Sequence, residues 1–288
     1  MTILQRIQGV LGQPAHHLTP LSGGCIAEVF RAELEDGRSI VIKAGNPDSV
    51  RDQEGGLEQE GRMLQYLGEH TKLPVPDVIH SEDNLLIMSW LPSGNRLSST
   101  AEEHAADLIA ALHDISAPHF GFDFQTVIGG LPQPNPISAT WIDFFRDHRL
   151  LYMANEAYKI KRLPLNAMTK LEKFSETLET RLLEPETPSL IHGDLWGGNI
   201  LCFNNKITGL IDPAIYFAHA EIELAFTTLF STFGDRFFRR YQEHRLIASG
   251  FFEERLSIYN LYPLLVHVRL FGGHYVSQVE QTLKRYGF

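Results

Sequence analysis

Three polar residues in the second half of this sequence have the types and the spacing that phosphoryl transfer requires. The segment 192–199 reads His-Gly-Asp-Leu-Trp-Gly-Gly-Asn, so Asn199 follows Asp194 by five positions, and Asp212 follows Asn199 by thirteen. Transfer of a phosphoryl group from ATP to a hydroxyl needs a carboxylate that takes the proton of the acceptor. It also needs an amide and a second carboxylate that hold Mg²⁺ on the phosphates. We therefore predict Asp194 as the general base and Asn199 and Asp212 as Mg²⁺ ligands.

A plainer interpretation of the same segment is a Gly-rich turn between two buried strands with incidental polar residues. The apolar pairs at 200–201 and 210–211 fit either interpretation. The order Asp, Asn, Asp is that of the catalytic-loop Asp, the catalytic-loop Asn and the metal-binding Asp of protein kinases, and this favours phosphoryl transfer. Within the motif, Trp196 is predicted to be a wall of the substrate site rather than a core side chain. His192 is predicted to hydrogen-bond the backbone near the loop.

A lysine and a glutamate in the first quarter of the chain supply the phosphate-positioning half of such a site. Lys43 follows the apolar run 40–42, as the phosphate-binding lysine of kinases follows a strand. The alternative is a solvated lysine at the end of a strand, which is the usual place for this residue. Glu60, on the next predicted helix, is the chosen ion-pair partner of Lys43, with Glu54 and Glu58 as competitors.

Two adjacent glycines open the first predicted hairpin. Gly23 and Gly24 would let backbone N–H groups approach phosphate oxygens closely, as a nucleotide-binding loop requires. Cys25 beside them is either a small residue that fits a tight loop or a redox-sensitive thiol, since backbone donors and cations favour the thiolate.

The first third of the chain has strand signals around one strong helix. The spacing predicts a short amphipathic helix over 2–12, a hairpin that turns at Asp36-Gly37, a helix over 54–69 and a buried strand over 85–88. Prolines end the second helix, and a Pro-Ser-Gly segment after residue 91 breaks the pattern. We place a domain boundary there, between an N-terminal nucleotide-binding lobe over 1–92 and a C-terminal catalytic and substrate-binding lobe over 93–288.

Helical signals dominate the second lobe. Thr100 to Glu103 resembles a capping box ahead of a helix, and the segment 120–136 is predicted to be a long ordered loop. Further helices are predicted near 140–158, 166–183, 220–231, 235–248 and 253–271. This order of elements predicts an α+β, two-lobed protein-kinase-like fold. Its small lobe would have an antiparallel sheet and a helix, and its larger lobe would be mainly helical.

Composition restricts the class of protein further. The chain has 288 residues, of which 43% are hydrophobic and 21% charged, and its net charge of −10 argues against nucleic acid or an anionic membrane as a partner. Two cysteines are too few for a disulfide framework, and we see neither a signal-peptide core nor a membrane span. We expect a cytoplasmic soluble protein, and its oligomeric state stays open.

With these motifs in place, the chain resembles the fructosamine/ketosamine 3-kinases, which are relatives of the aminoglycoside and choline kinases. The Trp-Gly-Gly of the segment 192–199 and the Asp-Pro-Ala-Ile-Tyr of 212–216 carry the narrower match, which runs from about residue 20 to 275. The resemblance implies ATP- and Mg²⁺-dependent phosphorylation of the sugar 3-hydroxyl of small-molecule ketosamines or glycated lysine, which destabilises the adduct and so deglycates the amine. It also implies a hinge over 87–91 that binds adenine, with Met88 and Trp90 as its named residues.

Two other functions compete with this one. A kinase of the same fold could instead phosphorylate an aminoglycoside, choline or a similar amine. A non-catalytic nucleotide-binding protein is the alternative from a different class, but the chain has a candidate for every polar role that catalysis needs.

Overall fold

The computed structural model describes residues 2–21, 27–45, 56–94 and 96–288. A five-stranded antiparallel sheet in the order β1-β2-β3-β5-β4 occupies the first third of the chain. The strands and helices of this part are α1 Ile3–Leu11, β1 Ala15–Leu21, β2 Glu28–Leu34, β3 Ser39–Ala44, α2 Gly56–His70, β4 Val78–Glu82 and β5 Leu85–Ser89.

The alternation of side chains along β3 determines what each face of the sheet contacts. Ile40 and Ile42 lie in a buried cluster with Ile7 of α1. Val41 packs on the opposite face, in a cluster that includes Leu64 of α2. Because successive side chains of a strand point to opposite faces, Lys43 shares the α2 face with Val41. The strand therefore directs its lysine towards helix α2.

The predicted hairpin and the predicted second helix are both present. Gly37 has a φ of 84°, a left-handed conformation that glycine adopts readily, and it forms the turn between β2 and β3. Helix α2 buries Leu57, Met63, Leu64 and Leu67, the apolar positions from which it was predicted. Strands β1 and β4 were not predicted.

The rest of the chain is mainly helical, as predicted. The elements are α3 Ser99–His113, β6 Thr126–Ile128, β7 Leu131–Gln133, α4 Trp141–Phe145, α5 Leu151–Lys159, α6 Leu165–Ser175, β8 Ser189–Ile191, β9 Ile200–Phe203, β10 Lys206–Leu210, β11 Tyr216–Ala218, α7 Glu221–Leu229, α8 Asp235–His244, α9 Leu256–Tyr259, α10 Leu261–Phe271 and α11 His274–Arg285. Single π-helical turns at Arg146–Leu150 and Phe251–Arg255 precede α5 and α9.

Three details of the predicted second lobe were wrong. Thr100 does not cap α3, because the helix begins one residue earlier and the hydroxyl of Ser98 accepts the amide hydrogen of Ala101 at 3.3 Å. The segment 120–136 is not only a loop, since β6 and β7 pair within it. Helix α11 was missed.

The chain divides into two compact units that are not continuous in sequence. The first comprises Met1–Leu108, Thr126–Pro132 and Gly198–Ala214, and the second comprises Ile109–Gln125, Gln133–Gly197 and Ile215–Phe288. The predicted Mg²⁺ ligands thus belong to the same unit as the sheet. The functional boundary at residue 92 stays a prediction.

The α+β class predicted from the sequence is confirmed by the N-terminal antiparallel sheet and the mainly helical remainder. Among the described residues, no helix combines the length and the apolar character that a membrane crossing needs.

Candidate functional site

Lys43, Glu60 and Asp212 form a charged cluster in the unit that contains the sheet. Lys43 Nζ lies 2.7 Å from Glu60 Oε1 and also contacts Asp212 Oδ1. The side chains of Lys43 and Glu60 are only 10% and 13% exposed, whereas that of Asp212 is 38% exposed. Glu60 is the partner expected from the sequence, and the competing Glu58 on the same helix is exposed. Glu54, Gly23, Gly24 and Cys25 lie outside the described residues.

Pairing with two acidic side chains keeps Lys43 charged despite its burial. Burial disfavours the ammonium of Lys43, but the carboxylates of Glu60 and Asp212 outweigh this effect and raise the pKa of Lys43 above its usual value. Burial is also the largest influence on the pKa of Glu60. Acting with the nearby Asp212 and against Lys43, it raises the pKa of Glu60 to about 7. One ammonium therefore faces two acidic side chains, an arrangement that can accept additional positive charge.

Asp212 occupies an unusual backbone position directly after the β9–β10 hairpin. Its φ is 54°, a left-handed conformation that is uncommon for a residue with a side chain and that concentrates at functional sites. The amide of Ile211 donates to the carbonyl oxygen of Asn199 at 3.1 Å, so the backbone joins one predicted metal ligand to the residue that precedes the other. Asn199 itself is 4% exposed.

The chemistry of these donors fits Mg²⁺ that arrives with a nucleotide. Among the described residues, no group of three or more His, Cys, Asp or Glu side chains forms a complete metal site. Mg²⁺ usually binds through one or two protein oxygen ligands together with waters and substrate phosphates. The amide oxygen of Asn199 and the carboxylate of Asp212 are such a partial set.

The predicted hinge over 87–91 comprises the end of β5 and the two residues after it. Met88 is buried in the cluster between the sheet and α2, and Trp90 lies after the strand with its ring 4.5 Å from the guanidinium of Arg31. The amides of Ser89 and Trp90 already donate to the carbonyl oxygens of Asp77 and Ser39. The amides of Ser89 and Trp90 thus already have hydrogen-bond acceptors within the protein. Adenine recognition by this segment stays a prediction.

In the second unit, the segment after β8 carries the predicted base. Gly193 has a φ of 83°, and the amide of Asp194 donates to Nδ1 of His192 at 3.4 Å, a long hydrogen bond of the kind predicted for His192. The carboxylate-bearing Asp194 is half-buried, and Trp196 is 40% exposed. Trp196 is therefore not a core side chain, which leaves it available as the predicted wall of a substrate site.

A buried network beneath this segment was not predicted from the sequence. Glu223 of α7 accepts the amide hydrogens of Gly193 at 2.6 Å and His192 at 3.2 Å. It also contacts Nε2 of His113 at 3.0 Å, and Nδ1 of His113 lies 2.8 Å from the hydroxyl of Tyr241. All of these side chains are buried. Glu223 and His113 thus position the backbone that carries Asp194.

The carboxylate of Glu223 is stabilised in its charged form. Burial opposes ionisation, but the hydrogen bond from His113, the charges of His113 and His192 and the amide of Gly193 together lower the pKa of Glu223 below its usual value. The signal that could have revealed this residue is an acidic side chain between Ile222 and Leu224, inside a largely apolar helix.

Comparison with known proteins identifies one family. The family described as fructosamine kinase matches residues 1–287. A probable ketoamine kinase of Synechocystis is 32% identical over 293 aligned residues, which cover 99% of this chain and 95% of that protein. A crystal structure described as that of a candidate fructosamine-3-kinase from Thermobifida fusca has a TM-score of 0.87 at 31% identity, and the match covers 98% of this chain and 97% of the other.

A more distant likeness concerns the fold alone. A thermostable mutant of the aminoglycoside phosphotransferase APH(4)-Ia, in a ternary complex with AMP-PNP and hygromycin B, has a TM-score of 0.70 at 16% identity. The match covers 100% of this chain and 99% of the other. Together with the Thermobifida fusca structure, it confirms the kinase-like fold class predicted from the sequence.

Proposed function

Because this chain belongs to the fructosamine kinase family, we propose that it transfers the terminal phosphoryl group of ATP to the sugar 3-hydroxyl of a ketoamine. The chain is a phosphotransferase with a hydroxyl acceptor. The observation that carries the proposal is the cluster of Lys43, Glu60 and Asp212, which supports a phosphate-positioning ammonium beside a metal-binding carboxylate. The family supports the choice of acceptor.

In this mechanism the first unit binds the nucleotide. Lys43, held by Glu60, contacts the α- and β-phosphates, while Asn199 and Asp212 provide oxygen ligands for Mg²⁺. When bound, Mg²⁺ neutralises negative charge on the phosphates that are transferred or left behind. Asp212 is the most exposed of the three clustered side chains, so it can exchange its contact with Lys43 for one with the metal.

The second unit supplies the acceptor side of the reaction. Asp194 accepts the proton of the sugar hydroxyl as that oxygen forms its bond to the γ-phosphorus and the bond to the β-phosphate oxygen breaks. Glu223 holds the amides of His192 and Gly193, so the backbone before Asp194 keeps one conformation. Trp196 forms an apolar wall against the sugar ring. The 3-phosphorylated ketoamine is unstable, which gives the reaction its deglycating role.

The test is a coupled assay of ADP formation with ATP, Mg²⁺ and one acceptor at a time. We expect turnover with fructosyl-lysine or ribulosyl-lysine, free or in a peptide, and little with choline or kanamycin. Phosphorus NMR of the product locates the phosphate on the 3-oxygen. Turnover of choline or kanamycin alone would contradict the proposed acceptor and favour another amine-bearing alcohol.

A further inference from the structure

Five ring-bearing side chains of the second unit form a continuous strip that begins two residues after the predicted base. We name it the aromatic strip, and its members are Trp196, Phe230, His267, Phe271 and Tyr275. Ring centroids are separated by 5.9 Å between Trp196 and Phe230 and by 5.0 Å between Phe230 and His267. His267 lies 5.8 Å from Phe271 and 4.8 Å from Tyr275. Contacts at these distances hold each ring against the next.

The aromatic strip lies on the outside of the unit. Trp196 is 40% exposed, Phe230 37% and Phe271 55%, whereas Leu265 and Val268 on the inner side of α10 are fully buried. Scattered exposed apolar residues are ordinary, but contiguous exposed apolar surface in a folded chain indicates a binding site. The helix thus separates a core face from a face of rings that is available to a ligand.

A paired glycine turn builds the far end of the strip. Gly272 and Gly273 have φ values of 64° and 61°, which residues with side chains rarely adopt. The two glycines join α10 to α11, and the rings of Phe271 and Tyr275 on either side of them lie 6.2 Å apart.

The surroundings of the histidine within the strip favour its neutral form. Its Nδ1 lies 2.7 Å from the carbonyl oxygen of Pro263, which can only accept a hydrogen bond, so Nδ1 carries a hydrogen, and in the neutral ring Nε2 then retains a lone pair. Burial, the largest influence, lowers the pKa of His267 below its usual value. A neutral ring does not repel a cationic ligand, and its lone pair can accept an N–H.

From this arrangement we infer that the aromatic strip binds the amine-side part of the ketoamine and selects amines with an aromatic group close to the nitrogen. The inference rests on the proposed function. A ketoamine nitrogen is a secondary ammonium at neutral pH, and aromatic faces attract such cations. Trp196 lies two residues after Asp194, so the part of the substrate that extends beyond the reacting sugar can follow the strip from Trp196 towards Phe271.

The test compares two adducts of the same sugar, the fructose adduct of benzylamine and that of methylamine. In the unsubstituted protein, kcat/KM is expected to be roughly tenfold higher for the benzylamine adduct, the size of one or two aromatic contacts. Phe271→Ala should reduce this preference about fivefold, mainly through KM for the benzylamine adduct. Phe271→Tyr retains a ring and should restore the preference.

The matched control is Phe252→Ala. Phe252 is 48% exposed in the same unit but contacts Phe238 and Phe251 instead of the strip, so its loss should leave the preference unchanged. An unsubstituted protein without preference, or an equal preference in Phe271→Ala, would overturn the inference while leaving the proposed function intact. Absence of turnover with both adducts would overturn the inference alone if fructosyl-lysine is still phosphorylated, and would refute the proposed function as well if it is not.

Discussion

Two buried charge clusters, one in each compact unit, use similar residues for different purposes. In the first, Lys43 contacts the carboxylates of Glu60 and Asp212, and one of these carboxylates is more than a third exposed. In the second, Glu223 and His113 are buried, and the carboxylate of Glu223 hydrogen-bonds two backbone amides and the imidazole of His113. Asp212 of the first cluster can exchange Lys43 for another partner, whereas the carboxylate of Glu223 in the second cluster has its hydrogen bonds fully occupied.

This difference separates reacting groups from supporting groups. A carboxylate that must exchange one cation for another has to stay accessible, so the first cluster is only partly enclosed. A carboxylate that fixes backbone amides stabilises the fold most when water is excluded, because an unsatisfied buried amide is costly. Substitutions in the first cluster should therefore affect rate more than stability, and those in the second should affect stability first.

Within the two clusters, the largest expected effect is on the rate of an Asp212→Asn variant. Asn tolerates the left-handed backbone at this position, so the substitution removes the charge without adding strain. We expect kcat to fall roughly 10³-fold, because an electrostatic contact to the transferred phosphates is lost. Steady-state kinetics at saturating Mg²⁺ measure this, with the exposed Asp123→Asn as the control. A near-normal kcat would refute the metal assignment.

In the second cluster, Glu223→Gln should lower stability. The amide has one acceptor oxygen where the carboxylate has two, so a buried N–H of His192, Gly193 or His113 is left unsatisfied. We expect the free energy of unfolding to fall by about 2–4 kcal/mol. Urea denaturation measures the change, and Glu186→Gln, exposed in the same unit, should differ little from the unsubstituted protein. Equal urea midpoints for Glu223→Gln and Glu186→Gln would contradict a stabilising role of Glu223.

A smaller effect should distinguish the two partners of Lys43. Glu60→Gln leaves Lys43 with Asp212, so the ammonium stays charged but is less firmly placed. We expect kcat/KM for ATP to fall about 10- to 100-fold, the scale of a misplaced contact. Glu58→Gln changes an exposed side chain of the same helix and should have no effect. A comparable loss of kcat/KM in Glu60→Gln and Glu58→Gln would mean that the rate depends on the helix and not on the ion pair.

The smallest expected effect concerns pH and the helix that carries Glu223. Burial, followed by the charge of Arg255, lowers the pKa of His219 to about 3, and Nδ1 of His219 accepts the amide hydrogen of Glu221 at 3.1 Å. Glu221 Oε2 lies 3.9 Å from His219 Nε2, but both carboxylate oxygens of Glu221 already bind Arg255.

Because the unfolded chain takes up a proton at this residue below pH 6.5 and the folded chain does not, His219 makes stability fall as pH decreases from 6.5 towards 3. Between pH 7 and 5.5 the loss from this residue is about 1.3 kcal/mol. His219→Asn retains an acceptor for the helix amide and should lose that much less over the same interval, as measured by urea denaturation at the two pH values. An identical pH dependence in both proteins would contradict a neutral His219.

Sequence patterns predicted the first cluster better than the second. Lys43 and Glu60 could be paired because strand and helix periodicity determine which face each occupies. The left-handed backbone of Asp212 leaves no mark in the pattern. Glu223 was missed as a supporting residue because its partners are backbone amides, which every residue has and no spacing reveals.

The two missed elements β1 and α11 have different causes. Strand β1 contains His16, His17 and Pro20 and lacks an alternating apolar pattern, so it forms through pairing with β2 and not through its own periodicity. Helix α11, in contrast, buries Val279 and Leu283 at helical spacing, a signal that was present in the sequence.

Whether this chain is a kinase with Asp194 as its base is tested most directly by one comparison on Asp194→Asn. Turnover of fructosyl-lysine and the dissociation constant of ATP with Mg²⁺ are measured on the same preparation. Since a base acts on the transition state and not on nucleotide binding, we predict a 10²- to 10⁴-fold fall in kcat, roughly, with the dissociation constant changed less than about threefold. Unchanged turnover would contradict the catalytic role of Asp194, whereas no turnover in the unsubstituted protein would favour a non-catalytic nucleotide-binding protein.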